Sequence, residues 1–166
     1  VTGFVAPTVP SVGDGVTAAQ GAVVANDLNS GPNMGTPTSI GAAGTSAVSA
    51  EVRDAVLGNY SFTAVAGRRY LAVMNGLGLS GTAGQLGHAR IRNGGALTPT
   101  IASPLIADSQ IYVPATGGTG QQTYPLGATF VPGAGPVTLS MFTVGLAGGL
   151  TPVFARELYA VDMGPA

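Results

Sequence analysis

The sequence predicts an all-β fold, an antiparallel β-sandwich, and three observations carry that prediction. After residue 46 apolar and polar residues alternate with period two, so that Tyr60, Phe62 and Ala64 share one face and Ser61, Thr63 and Val65 the other. Turn residues separate such runs at roughly ten-residue spacing, the rhythm of short strands in a two-sheet domain. The stretch from Phe62 to Tyr70 holds one complete unit: a core strand, a turn set by Gly67, and a second strand opening at Tyr70.

Composition sets the limits. The 166 residues are 45% apolar, enough for one domain with a real core and an additional arm. Charged residues make up 8%, against about 25% in ordinary soluble domains, which leaves wide uncharged surface and favours a subunit covered by partners. All six basic residues are Arg and the net charge is −1, so no broad positive field exists and nucleic acid is not an expected partner. The 27 glycines and 12 prolines suggest disorder, but disordered chains are polar, and the mean hydropathy of +0.39 favours order for 46–166. Without cysteine there is no disulfide framework and no thiolate nucleophile or ligand. Apolar stretches such as Ala18 to Ala25 fall short of the ~20 residues of a spanning helix, so neither a membrane anchor nor a signal peptide is expected.

Two regions are predicted, 1–45 and 46–166. Pro7 and Pro10 favour an extended arm over residues 1–13. Thr17 can cap a short helix running to about Leu28, with Gln20 completing a capping box and Val16 as a staple. Its apolar stripe is weak, so contacts with the rest of the protein or with neighbours must stabilise it. Residues 29–45 form a polar, glycine-rich connector.

Within 46–166, segment 46–57 suits a helix or a strand by pattern; strand is preferred because it would protect a sheet edge. Strands follow at Tyr60 to Val65 and from Tyr70 to Met74. Leu86 to Arg92 is read as a strand whose Asn93-Gly94-Gly95 turn closes a tight hairpin onto Ala96 to Ile101. Further strands are expected near Ser109 to Pro114, Gln122 to Phe130, Val137 to Leu146 and Ala155 to Asp162, with loops at 116–120 and 132–136.

Candidate chemistry is sparse, and no catalytic, cofactor-binding or metal-binding residue is assigned. His88 stands with Arg90 and Arg92 on one strand face while Ala89 and Ile91 face the other way. That row suits a small anion or acidic partner, but an outer sheet face whose arginines pair with scattered carboxylates is favoured. No Gly-x-Ser-x-Gly elbow ties His88 to a serine and a carboxylate, so hydrolase chemistry is not expected. The five Asp and two Glu are dispersed, with no metal-ligand spacing; Asp14, between two glycines, reads as a turn residue. The glycine runs Gly76 to Gly81 and Gly117 to Gly120 lack the lysine and following helix of a phosphate loop, and read as turns. Arg68 and Arg69 at a turn suit a neighbour's carboxylate or a solvated corner. Tyr112 and Tyr124 flank loop 116–120; they suit packing, or a sugar-binding surface.

Taken in order, Phe62 to Tyr70, His88 to Gly95, Val131 to Val144 and the terminal Arg156 to Pro165 make the chain resemble small minor tail and tail-fibre-like proteins of tailed phages infecting actinobacteria. Gly13 to Ala19 followed by Asn26 resembles the segment that opens the first helix in such proteins. The resemblance covers most of 60–166. It implies a jelly-roll-like sandwich, often trimeric, acting in the virion at the tail tip or fibre in assembly or host attachment, with no catalytic residues to carry over. The chain departs from longer fibre proteins in lacking a repeat or coiled-coil shaft, so it would serve as a compact knob or collar.

The expected function is therefore that of a non-enzymatic virion protein, a minor tail protein whose arm and helix (1–28) dock to other virion proteins. A capsid decoration protein and a carbohydrate-binding module for a host-surface glycan, reading through loops 76–87 and 116–120, are the alternatives.

Overall fold

The computed structural model describes residues 38–40, 44–45, 47–76, 78–81, 83–84, 86–113, 119–120, 126–145, 149–153 and 155–166. Thirteen strands build three antiparallel sheets among these residues, and no helix occurs there. The first sheet runs β1 (Thr38–Ile40), β13 (Arg156–Pro165), β5 (Arg68–Asn75), β10 (Leu126–Phe130). The second runs β3 (Glu51–Arg53), β11 (Gly135–Gly145), β7 (Leu86–Asn93), β8 (Leu105–Tyr112), and β4 (Asn59–Ala64) also pairs with β11. A small third sheet joins β2 (Ala47–Val48), β12 (Gly149–Val153), β6 (Gly78–Gly81) and β9 (Thr119–Gly120). The protein is an all-β, jelly-roll-like antiparallel sandwich.

The core lies where the two large sheets face each other. Tyr70, Ala72 and Met74 of β5 and Leu158 and Ala160 of β13 meet Tyr60 and Ala64 of β4, Ala89 and Ile91 of β7, and Val137, Leu139 and Met141 of β11. Period two places these residues inward, and their burial is the main force holding the sheets together. An aromatic row crosses from one sheet to the other: Tyr60 to Phe62 at 5.9 Å, Phe62 to Tyr70 at 5.1 Å and Tyr70 to Phe130 at 6.1 Å between ring centroids, all tilted. Tyr70 is wholly buried, and its hydroxyl accepts a hydrogen bond from the Val65 amide (2.9 Å), which ties the β4–β5 turn to the core. Gly67 (φ +72°) gives that turn the left-handed backbone a side chain would resist.

The unit read from Phe62 to Tyr70 stands as expected, and segment 46–57 holds two strands, β2 and β3, the latter on the edge of β11. Three local expectations are corrected. Thr38–Ile40, within the connector, pairs with β13, in a strand too short to show a period. Gly78–Gly81 and Thr119–Gly120, read as turn and loop, pair with each other as β6 and β9.

The third correction concerns the hairpin after β7. Asn93 to Gly95 does turn the chain, with the Asn93 side-chain oxygen accepting from the Gly95 amide (2.9 Å), but Ala96 to Ile101 forms no strand. Pro99 and Pro104 withhold backbone donors and the Thr100 and Ser103 side chains bond locally, so the chain rejoins β7 only at β8. The arm 1–13, the helix 17–28 and Tyr124 lie outside the described residues.

Candidate functional site

Two groups of charged side chains come together in this fold. The first is the basic row. His88, Arg90 and Arg92 project from the outer face of β7, while Ala89 and Ile91 are fully buried beneath, as the alternation requires. On the neighbouring strands Asp108 of β8 stands opposite Arg90, and Glu51 of β3 lies beyond β11.

The geometry closes this row on itself. The Glu51 carboxylate takes Arg92 Nε at 2.5 Å and Nη2 at 3.0 Å, and also Arg90 Nη1 at 2.7 Å. Asp108 takes Arg90 Nε at 3.1 Å and lies 2.8 Å from His88 Nδ1. Two guanidinium charges thus meet two carboxylates, and the bidentate Arg92 contact is the strong form of such a pair. Burial alone would raise the Glu51 carboxyl, but hydrogen bonds and charge from Arg92 and Arg90 outweigh it and hold the group below its ordinary value. For Arg90, burial acts to lower the guanidinium, and Glu51 and Asp108 more than reverse this.

The network also roofs an apolar residue on the outer face. Phe142 of β11 is 1% exposed, and the Arg92 guanidinium carbon sits 5.9 Å from its ring centroid. The 94–104 loop completes the cover. Ser103 accepts from Arg92 Nη1 through its carbonyl (2.6 Å), and Asn59 Nδ2 donates to the Thr98 hydroxyl (3.1 Å). Ser140 is buried there, donating to Asn59 Oδ1 at 2.6 Å. The row therefore works as a structural lattice over the sheet, and an anion would have to displace carboxylates already in place.

The second group was not legible in the sequence. Asp54 and Arg156 are both fully buried, and Asp54 Oδ2 accepts from Arg156 Nε (2.7 Å) and lies 2.6 Å from Nη2. Asp54 sits where the chain passes from β3 to β4 along β11, and its Oδ1 accepts from the amides of Thr45 (3.3 Å), Val56 (3.1 Å) and Leu57 (3.3 Å). One carboxylate thus shapes a turn in one sheet and anchors β13 of the other. Gly44 lies against the pair, with a Cβ there only 2.7 Å from Arg156 Nη2 and Asp54 Oδ2.

The other expected positions are dispersed. Arg68 pairs with Asp162 inside the chain (2.6 Å), and Arg69 beside it is exposed. Tyr112 stands 46% exposed at the end of β8, across from Leu86. Asp14 lies outside the described residues, and among the described residues no cluster of His, Asp or Glu suits a metal ion.

No family model matches the chain, and no curated protein matches it. Among solved structures it is similar to the CBM22-1–GH10 modules of a Clostridium thermocellum endo-1,4-β-D-xylanase complexed with xylohexaose, at 10% identity and a TM-score of 0.38, over 81% of this chain and 27% of that one. It is similar also to the structure of the infectious bursal disease virus Gx strain, at 11% identity and a TM-score of 0.37, over 79% of this chain and 33% of that one. The chain spans a third or less of either structure, and likeness at this level carries no functional argument.

Proposed function

We propose that this protein is a non-enzymatic structural subunit of a tailed-phage virion, a minor tail protein acting in tail-tip assembly or host attachment. The observation that supports this reading best is the closure of its charged groups on one another. His88, Arg90, Arg92, Glu51 and Asp108 are consumed in a lattice that stiffens a sheet, and Asp54 and Arg156 in one that joins two sheets. Large apolar side chains are turned outward instead: Leu97 is 74% and Ile101 61% exposed, on a loop held by its own hydrogen bonds. Such a surface suits burial against other subunits, in a homo-oligomer and against other virion proteins. The resemblance of 60–166 to minor tail proteins favours the tail over the head and a trimer over other symmetries.

Gold-labelled antibody on intact particles is the test. Label at the tail tip is the expected result, label over the head would make the protein a capsid decoration protein, and unlabelled particles would end the virion reading. Deleting residues 1–15 tests the role of the arm: the sandwich is expected to fold and to be lost from particles, and normal incorporation would refute docking through the arm. A second reading, binding of a host-surface glycan, is favoured by half-exposed Tyr112 on the outer sheet face. It requires glycan-array binding that Tyr112→Ala abolishes.

A further inference from the structure

We propose that the outer face of β5 and β13 is a self-association surface, on which a second copy of the chain packs face to face across a two-fold axis. Strand alternation turns Tyr70, Ala72 and Met74 of β5 and Leu158 and Ala160 of β13 into the core, so Leu71, Val73, Tyr159 and Val161 stand on the opposite side. The register sets Tyr159 beside Val73 and Val161 beside Leu71, which makes one contiguous apolar quartet. A sheet with one face in the core ordinarily carries polar residues on the other, as β4 does with Ser61 and Thr63 and β7 with His88, Arg90 and Arg92. All four residues of the quartet reach solvent in part. Beyond them Arg69 is exposed, and Met163, at the bulge beside it, is 54% exposed. Asn75 Nδ2 donates to the Tyr159 hydroxyl (2.9 Å), which holds that ring on this face and keeps its oxygen partnered when the face is covered.

The charges at the two ends of the face select the occupant. Among the described residues Arg69 and Glu157 are the charged side chains that make no hydrogen bond or ion pair, and the alternation places both on this face. Glu157 lies opposite Asn75, six residues along β5 from Arg69, so roughly 20 Å of strand separates the two and they cannot meet within one chain. A second copy laid over the face with its strands reversed brings the partner's Glu157 to Arg69 and the partner's Arg69 to Glu157. Because the two residues stand on adjacent strands, this alignment crosses the strands of the two copies at about 30°, the ordinary angle between packed sheets. The quartets then cover each other, with Tyr159 and Val73 over the partner's Leu71 and the partner's Val161. Opposite charges thus meet twice by symmetry, as an isologous contact demands. Apolar burial supplies the affinity, and the charged ends fix the orientation. The contact does not rest on the virion reading.

Sedimentation velocity of the full chain over a concentration series tests this, with hydroxyl-radical footprinting of Tyr159 and Met163. The expected result is a mass that rises from one copy to two, with modification of both residues falling as it does. Arg69→Glu and Glu157→Arg each set like charges together at both ends of the contact, and each is expected to weaken association roughly tenfold. The double variant Arg69→Glu/Glu157→Arg restores opposite charges if each position meets the other in a second copy, and is expected to recover the wild-type association. That recovery separates the contact from damage to the fold. A mass that stays at one copy overturns the proposal, as do single variants that associate like the wild type or a double variant no better than either single one. So does protection of Tyr159 and Met163 that is the same at every concentration, which would mean that another part of the chain covers the face.

Discussion

Replacing Asp54 by Asn is the sharpest test of how this sandwich holds together. The substitution keeps a side-chain oxygen for the amides of Thr45, Val56 and Leu57, so the turn between β3 and β4 retains its local bonds. It removes the carboxylate facing Arg156, whose side chain is fully buried. Breaking a buried pair from one side costs about 3–5 kcal/mol, because a charge is left in the interior without its counter-charge. Domains of this size have a total stability of about 5–15 kcal/mol, so the loss takes a large share of it. At about 2–4 °C per kcal/mol the melting temperature should fall by roughly 6–20 °C.

The Asp54→Asn/Arg156→Met double variant separates charge stranding from mere damage. With both charges gone, the methionine can fill the guanidinium's volume, and such replacements are often neutral. Urea denaturation of wild type, both single variants and the double should show the double to be more stable than Asp54→Asn alone. A cost below about 1 kcal/mol for Asp54→Asn, or simple addition of the two single effects, would refute the account. Gly44→Ala, which presses a methyl group onto the pair, should destabilise in the same direction.

Other outcomes follow from single positions. Thr143 is fully buried and its hydroxyl finds no hydrogen-bond partner among the described residues, so Thr143→Val should stabilise the protein by about 1 kcal/mol in urea denaturation. Gly76 has φ +71° and a Cβ there would collide with the Ala155 carbonyl oxygen, so Gly76→Ala should cost at least about 1–3 kcal/mol from the backbone conformation alone. Glu51, held below its ordinary value of 4.5, contributes stability that is fully present above that value and is lost as pH falls through the lower folded one. Glu51→Gln should therefore lower stability at neutral pH and flatten its decline below about pH 4.5, read from melting temperatures across the acid range.

The sequence made some of this legible for a definite reason. Where a strand has one face in the core and one outside, period two is written in the residues, as in β4, where Tyr60 and Ala64 are buried and Ser61 and Thr63 are not. β7 shows the same alternation, and it separated His88, Arg90 and Arg92 from Ala89 and Ile91. β11 broke the rule, because its outer residues are roofed as well: from Val137 to Thr143 every residue is buried. The roof is built by Glu51, 41 positions from Arg92, and by a loop whose course depends on Pro99 and Pro104, so nothing local announced it. The Asp54–Arg156 pair spans 102 positions and follows from the packing of two sheets, which no spacing rule reaches. The hairpin expected after Gly95 failed for a related reason: turn chemistry fixed the reversal, but proline and local side-chain bonds decided where pairing resumed.

These contacts also change what scarcity of charge means for this protein. Arg53 donates to Asn59, Arg68 to Asp162, Arg90 and Arg92 to Glu51, and Arg156 to Asp54, so most of the basic residues are engaged within the chain. A low charge content spread over the surface would still steer partners by long-range fields; one spent inside the fold leaves little to steer with. Any association through this sandwich would then rest on apolar contact, which salt screens weakly. Binding to any partner through this sandwich should accordingly change little between low and physiological ionic strength, and a steep salt dependence would mean that the outer lattice opens to release its arginines.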